Sequence, residues 1–183
     1  MTWRKTLTYW AVFACLLVYY AAAERGAGPV SEITAQREKI LPIYSDDVTA
    51  VTLRREGKEV RCEKREKRWQ IVKPEGAKVP ADLVSALVEN LTDKQEAEEI
   101  QATPKPDDLQ AFGLTDTSTT VEVDVSDGRK LSVKFGTRNP PQTAIYAQTS
   151  LSPRVLLIGV NVQYYADLLY EAGANAVART ARR

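Results

Sequence analysis

Leu7 to Ala23 is a run of seventeen residues without a charge, standing at the front of an otherwise polar chain. At about 1.5 Å per helical residue it reaches roughly 25 Å, near the lower limit for a hydrocarbon core of about 30 Å. Tyr9 and Trp10 lie near one end and Tyr19 and Tyr20 near the other, where amphipathic rings favour the headgroup zone. The reading is a single transmembrane helix over 7–23, anchored by Leu7, Trp10, Phe13, Leu16, Leu17 and Tyr20, with residues 1–6 as a short cytoplasmic N-terminus. The rival is a cleaved export signal, since Arg4 and Lys5 precede the run and Ala21, Ala22 and Ala23 supply small residues near its end. Either reading places the bulk of the chain outside the cytoplasm.

The remaining residues suffice for one globular domain with a real core or for two small lobes. The sequence contains no histidine, which removes Ser-His-Asp and Cys-His catalysis and nearly every metal site built on imidazole. Of its two cysteines, Cys15 falls in the apolar run, so Cys62 has no disulfide partner in the domain. A partly buried, inert thiol is expected there. A net charge of +1 hides a separation along the chain, with eight basic residues and four glutamates between Arg54 and Arg68, and mainly acidic residues between Ala81 and Asp127. These read as solvated faces that attract one another within the fold. Nucleic acid is not an expected partner, because the basic stretch carries Trp69 as its one stacking aromatic.

Residues 24–38 carry Gly26, Gly28 and Pro29 without a sustained period and read as a stalk. A short strand at 39–43 precedes a turn at Ser45, Asp46 and Asp47. Val48, Val51 and Leu53 then begin an extended segment that Glu56-Gly57 folds back onto Val60 and Cys62. Trp69 to Val72 is a further strand, with Trp69 as a core anchor. Pro80 opens a helix whose stripe is Leu83, Val84, Leu87, Val88 and Leu91. A charged stretch and paired prolines lead through 101–118 to Phe112-Gly113-Leu114, read as a hinge. The pattern then repeats, with a hairpin at Asp127-Gly128, strands at 145–148 and 155–158, and a helix from Asn161 that Gly173 ends before a loose basic tail. The expected fold is α+β, with two similar hairpin, strand and helix units at 39–100 and 119–173, mainly antiparallel, and helices on one face.

No catalytic, metal or cofactor constellation emerges. Asp46-Asp47 and Asp107-Asp108 sit at turns, where aspartate caps backbone amides. Asp124 to Gly128 reads as a hairpin turn, since it lacks the other spaced ligands of a calcium loop. Recognition surfaces carry more promise. The loop Arg138, Asn139, Pro140, Pro141 joins a cation, an amide and two prolines, and Phe112 and Leu114 at the hinge and Tyr164 on the last helix are further candidate contact residues.

In their order along the chain, these signals resemble the family of bacterial membrane-anchored proteins known as the domain of unknown function DUF4340. The resemblance rests on the apolar run, ILPIYSDDVTAVTL from Ile40, WQIVKP from Trp69, Pro80-Ala81-Asp82, Phe112-Gly113-Leu114, VKFG from Val133, Ile145-Tyr146-Ala147 and Val155 to Ile158. Phe112 stands where the family often has tyrosine, and many members are longer, with more copies of the unit. The resemblance implies an extracytoplasmic domain, often associated with gliding-type ABC export systems, and brings no catalytic residues. The expected function is a noncatalytic accessory subunit or scaffold contacting an integral membrane partner such as ABC transporter subunits. The alternative is an envelope protein that captures a glycan or lipid headgroup between its lobes, near Phe112.

Overall fold

The computed structural model describes residues 38–75, 77 and 79–180, with side chains to residue 174, together with residues 3, 10, 13–16 and 19. The chain divides into the units Met1–Ala35 and Gln36–Arg183. In the second unit the strands are β1 (Glu38–Lys39), β2 (Val48–Arg55), β3 (Lys58–Arg65), β4 (Arg68–Lys73), β5 (Glu96–Gln101), β6 (Thr119–Val125), β7 (Lys130–Arg138), β8 (Ala144–Thr149) and β9 (Ser152–Gly159). The helices are α1 (Ala81–Glu89), continued by a π-helical turn Asn90–Lys94, then α2 (Pro106–Ala111) and α3 (Val160–Thr180), with a 3-10 turn at Ser45–Asp47.

Alternation of branched and polar residues sets the strands, and tight turns set their register. Glu56 (φ 51°) with Gly57 (φ 74°) and Glu66 (φ 48°) with Lys67 (φ 63°) are left-handed pairs, the geometry that closes a hairpin with the native twist. The β2–β3–β4 meander that results joins the β6–β7–β8–β9 meander through antiparallel pairing of β2 with β6, as in Leu53 opposite Val121. The whole is one sheet of nine strands in the order β1-β5-β9-β8-β7-β6-β2-β3-β4.

This arrangement overturns the expected α+β fold of two similar units. The reason lies in β5, which sequence order puts in the first unit but which pairs with β9 of the second, Glu98 opposite Leu157. The chain travels from β4 past six strands to reach β5, then back past three strands to β6. Both crossings tie the meanders into a single body. No helix among the described residues is long and apolar enough to cross a membrane, and most of the expected membrane-crossing run at 7–23 lies outside the described residues. Of the expected anchor, Trp10, Phe13 and Leu16 are helical and exposed, whereas Leu7, Leu17 and Tyr20 lie outside the described residues.

One face of the sheet is apolar and carries α1 and α3, which lie against each other. Val84, Leu87, Val88 and Leu91 from the first crossing and Val162, Ala166 and Leu169 from α3 meet Val51, Leu53, Val121, Val133, Ile145 and Ile158 in one core. Trp69 and Cys62 belong to that core, and burial pushes the Cys62 thiol up to about 12, leaving it an inert packing group. Asn161 and Gly173 do not bound the last helix, which runs through both. Gly173 is buried where an added Cβ would strike the side chain of Val60, so the small residue serves helix-to-sheet approach, not termination. The sequon Asn90-Leu91-Thr92 is turned inward. Asn90 donates to the Ala86 carbonyl and Thr92 to that of Val88, so both close the end of the crossing.

The opposite face is a polar wall. Arg61 on β3 donates to Thr52 on β2 (3.1 Å), to Asp124 on β6 (2.9 Å) and to Glu63 (3.2 Å). The hydrogen bond it donates to Asp124 is the leading cause holding the Arg61 guanidinium pKa above the ordinary value. Arg54 reaches Glu122 at 3.0 Å, so the basic run of the first meander is neutralised by acids of the second across β2 and β6. Arg55 turns the other way and clamps α3: it donates to Thr119 (2.7 Å), pairs with Asp167 and lies over the Tyr170 ring at 4.9 Å.

Candidate interaction surface

Every candidate contact residue of the domain is found at one end of the sheet, where β7 leaves, β8 enters and α3 begins. Asn139 accepts hydrogen bonds from the Thr143 (2.9 Å) and Ala144 (3.0 Å) amides through its side-chain oxygen, and its own amide donates to the Ala144 carbonyl at 2.9 Å. The residue is buried because it is the internal brace of the loop, not a contact. Its bracing presents Pro140 and Pro141 outward with little conformational freedom to lose on contact.

Arg138 donates from Nε to Gln163 of α3 at 2.9 Å, which links the loop to the exposed Tyr164. Tyr164 and Tyr165 meet edge to face, with centroids 5.5 Å apart. On the polar face the connection after α2 passes β7 so closely that a Cβ on Gly136 would strike the Phe112 carbonyl. That carbonyl accepts from the Thr137 amide at 2.8 Å and from its hydroxyl at 3.1 Å. Phe112 is thereby laid on Tyr146, centroids 4.6 Å apart, while Leu114 is only 4% exposed. The expected hinge is in fact a strap, fastened to the sheet at Gly136 and Thr137. Of the proposed contact residues, Arg138, Pro140, Pro141 and Tyr164 are exposed or at the rim, Phe112 is half-buried, and Asn139 and Leu114 are structural.

The acidic pairs have local work. Asp108 accepts from the Lys105 amide (2.9 Å) and from Gln101 (2.8 Å), in that order of effect, and its pKa is held below the ordinary value as it caps α2. Asp46 and Asp47 form the 3-10 turn. Asp93, at the end of the first crossing, joins a further network. Asp93 accepts from Lys39 (3.3 Å), the Ser45 amide (3.2 Å) and the Thr92 hydroxyl (3.0 Å). Burial works to raise its pKa, but the bonds from Ser45, Thr92 and Lys39 prevail and hold it low. The sequence signal was the aspartate following a helix end, one without a visible partner because Lys39 and Ser45 lie about fifty residues away.

Together these features define an antiparallel-sheet domain with two helices on one face and a polar wall on the other. The family model described as Domain of unknown function (DUF4340) matches residues 69–172, more than half of the chain, and the chain belongs to that family. The matched stretch begins at Trp69 on β4 and runs to the last helix, so it includes every candidate contact residue. No curated protein and no solved structure matches the chain.

Proposed function

We propose that this chain is a noncatalytic accessory subunit of a bacterial envelope complex, held at the outer side of the cytoplasmic membrane and docked on an integral membrane partner of the ABC transporter kind. The observation that carries the reading is the contact end. A hydrogen-bond-braced loop sets Pro140 and Pro141 outward beside Arg138 and the exposed Tyr164, a rigid mixed surface of cation, aromatic and proline. Its groups are pre-organised, which lowers the entropic cost of docking. The charge-free run from Leu7 to Ala23 supports the address, and family membership supports the extracytoplasmic setting.

Tagged full-length protein extracted in mild detergent is expected to bring transporter subunits with it. The double variant Arg138→Glu with Tyr164→Ala, which touches only rim groups, is expected to lose them while unfolding at the same temperature. Isolation of the wild-type chain alone from membranes in which candidate complexes stay intact overturns the proposal.

A further inference from the structure

β4 is the last strand of the sheet, and among the described residues nothing pairs with its outer edge. The register says which groups that edge offers. Arg65 and Arg68 close the two-residue turn Glu66-Lys67 as a hydrogen-bonded pair, and the alternation of an antiparallel ladder makes Glu63 with Gln70 the next such pair. Trp69 and Ile71 stand at the non-bonded positions opposite Lys64 and Cys62, so their amide and carbonyl groups point away from β3. Their side chains go inward: Trp69 is buried in the core, and Ile71 packs half-buried against it. What the edge presents is therefore main chain, with exposed Arg68 and Gln70 on the polar face and exposed Lys73 at the far end.

An open ladder of this kind takes an extended polypeptide, because only another backbone matches its alternating donors and acceptors. The charges select among polypeptides. Arg65 is engaged by Glu63 at 3.0 Å and Lys64 by Asp46 at 3.5 Å, Lys73 reaches Glu59 at 3.7 Å, and Lys67 and Arg68 form no ion pair among the described residues. Two copies paired edge to edge about Gln70 would set Lys67 of each against Lys73 of the other, so like charge opposes self-association. The same cations favour an acidic strand. We infer that β4 is a docking edge for an extended acidic segment of a partner protein, in which apolar residues beside Trp69 and Ile71 alternate with carboxylates that reach Lys67, Arg68 and Lys73. The inference does not rest on the docking role proposed for the Arg138 to Pro141 loop, which joins β7 to β8, strands well removed from β4 in the sheet order.

Full-length protein in mild detergent is titrated with a fluorescein-labelled peptide of alternating glutamate and valine, and binding is followed by anisotropy. One control replaces glutamate by lysine. The other keeps the glutamates but N-methylates the valines, which preserves charge and removes the donors that would face β4. The unmodified acidic peptide is expected to bind at least about tenfold more tightly than either control. Arg68→Gln with Lys73→Gln is expected to weaken it about tenfold and to leave thermal unfolding unchanged. Amide exchange followed by NMR supplies a readout without substitution: the Trp69 and Ile71 amides should exchange quickly in the free protein and slow at least about tenfold with the peptide, while Gln70 stays protected throughout. Equal binding of the N-methylated peptide would reduce the edge to a charged patch of the kind an anionic lipid surface could use, and would overturn the inference. So would failure of the acidic peptide to bind, or Trp69 and Ile71 amides already protected in the free protein.

Discussion

The two connections that cross the sheet are built on opposite principles. The first crossing runs over the apolar face and is fastened by burial: Val84, Leu87, Val88 and Leu91 disappear into the core along with the sheet residues beneath them. The second runs over the polar face and is fastened by close approach, with few apolar groups, Leu114 and Phe112, and a line of directed bonds in which Thr137 and Ser118 donate to the Phe112 and Gly113 carbonyls and Asp108 accepts from the Lys105 amide. A connection over a hydrophobic face tolerates imprecision, because burial is non-directional and scales with area. One over a polar face depends on particular atoms meeting. The first should therefore fail by losing volume, and the second by losing a single point of contact.

The largest expected effect is on the buried crossing. Leu87→Ala removes a fully buried side chain at the point where α1 faces both sheet and α3. It should cost about 2–5 kcal/mol, read as a lower urea midpoint with an unchanged slope. Gly136→Ala is the matching test of the polar strap. The new methyl would strike the Phe112 carbonyl and force the strap off the two bonds from Thr137, at a cost of about 1–3 kcal/mol. The readout that separates the cases is local. Faster hydrogen exchange confined to residues 102–118 in Gly136→Ala fits a strap fastened at one point, whereas uniform loss of protection through the sheet would erase the contrast between the crossings.

The sequence reveals the first crossing almost completely and the second hardly at all, for the same reason. Leu83 to Leu91 repeats at helical spacing, so periodicity announces a helix that must lie on something apolar. In β5, Ala97 is the one buried residue among Glu96, Glu98, Glu99, Ile100 and Gln101, so the strand reads as a charged linker. Missing it splits one sheet into two units. Strand pairing between distant segments leaves no local trace, and neither does the placement of Gly136, whose role depends on a carbonyl from another part of the chain. The candidate contact residues are legible only by type. A proline pair, an arginine and helix tyrosines attract notice by type alone, although type could not tell that Asn139 and Leu114 face inward.

The smallest of the three effects tests whether the buried crossing also relies on directed bonds where it ends. Asp93 fastens β1 and the 3-10 turn to the last turn of that crossing through Lys39, Ser45 and Thr92. Its carboxyl titrates below the ordinary aspartate value of about 3.9, so the folded state binds the proton less readily than the unfolded chain does. Its contribution is therefore present in full above that unfolded value and is lost as pH falls through the lower, folded one. Asp93→Asn keeps the shape and removes the charge. At neutral pH it should cost about 1 kcal/mol in urea unfolding, the order of a hydrogen bond to a charged group in a partly exposed site. As pH drops below 4 the wild type should approach the variant, because protonation neutralises the carboxylate that the substitution has already removed. Glu63, Asp108 and Asp127 are also held low, so both proteins will lose stability in acid, and the informative quantity is the difference between them. A gap that stays constant from neutral to acid pH would mean that Asp93 acts through packing or neutral hydrogen bonds, and that the apolar crossing is fastened without charge along its whole length.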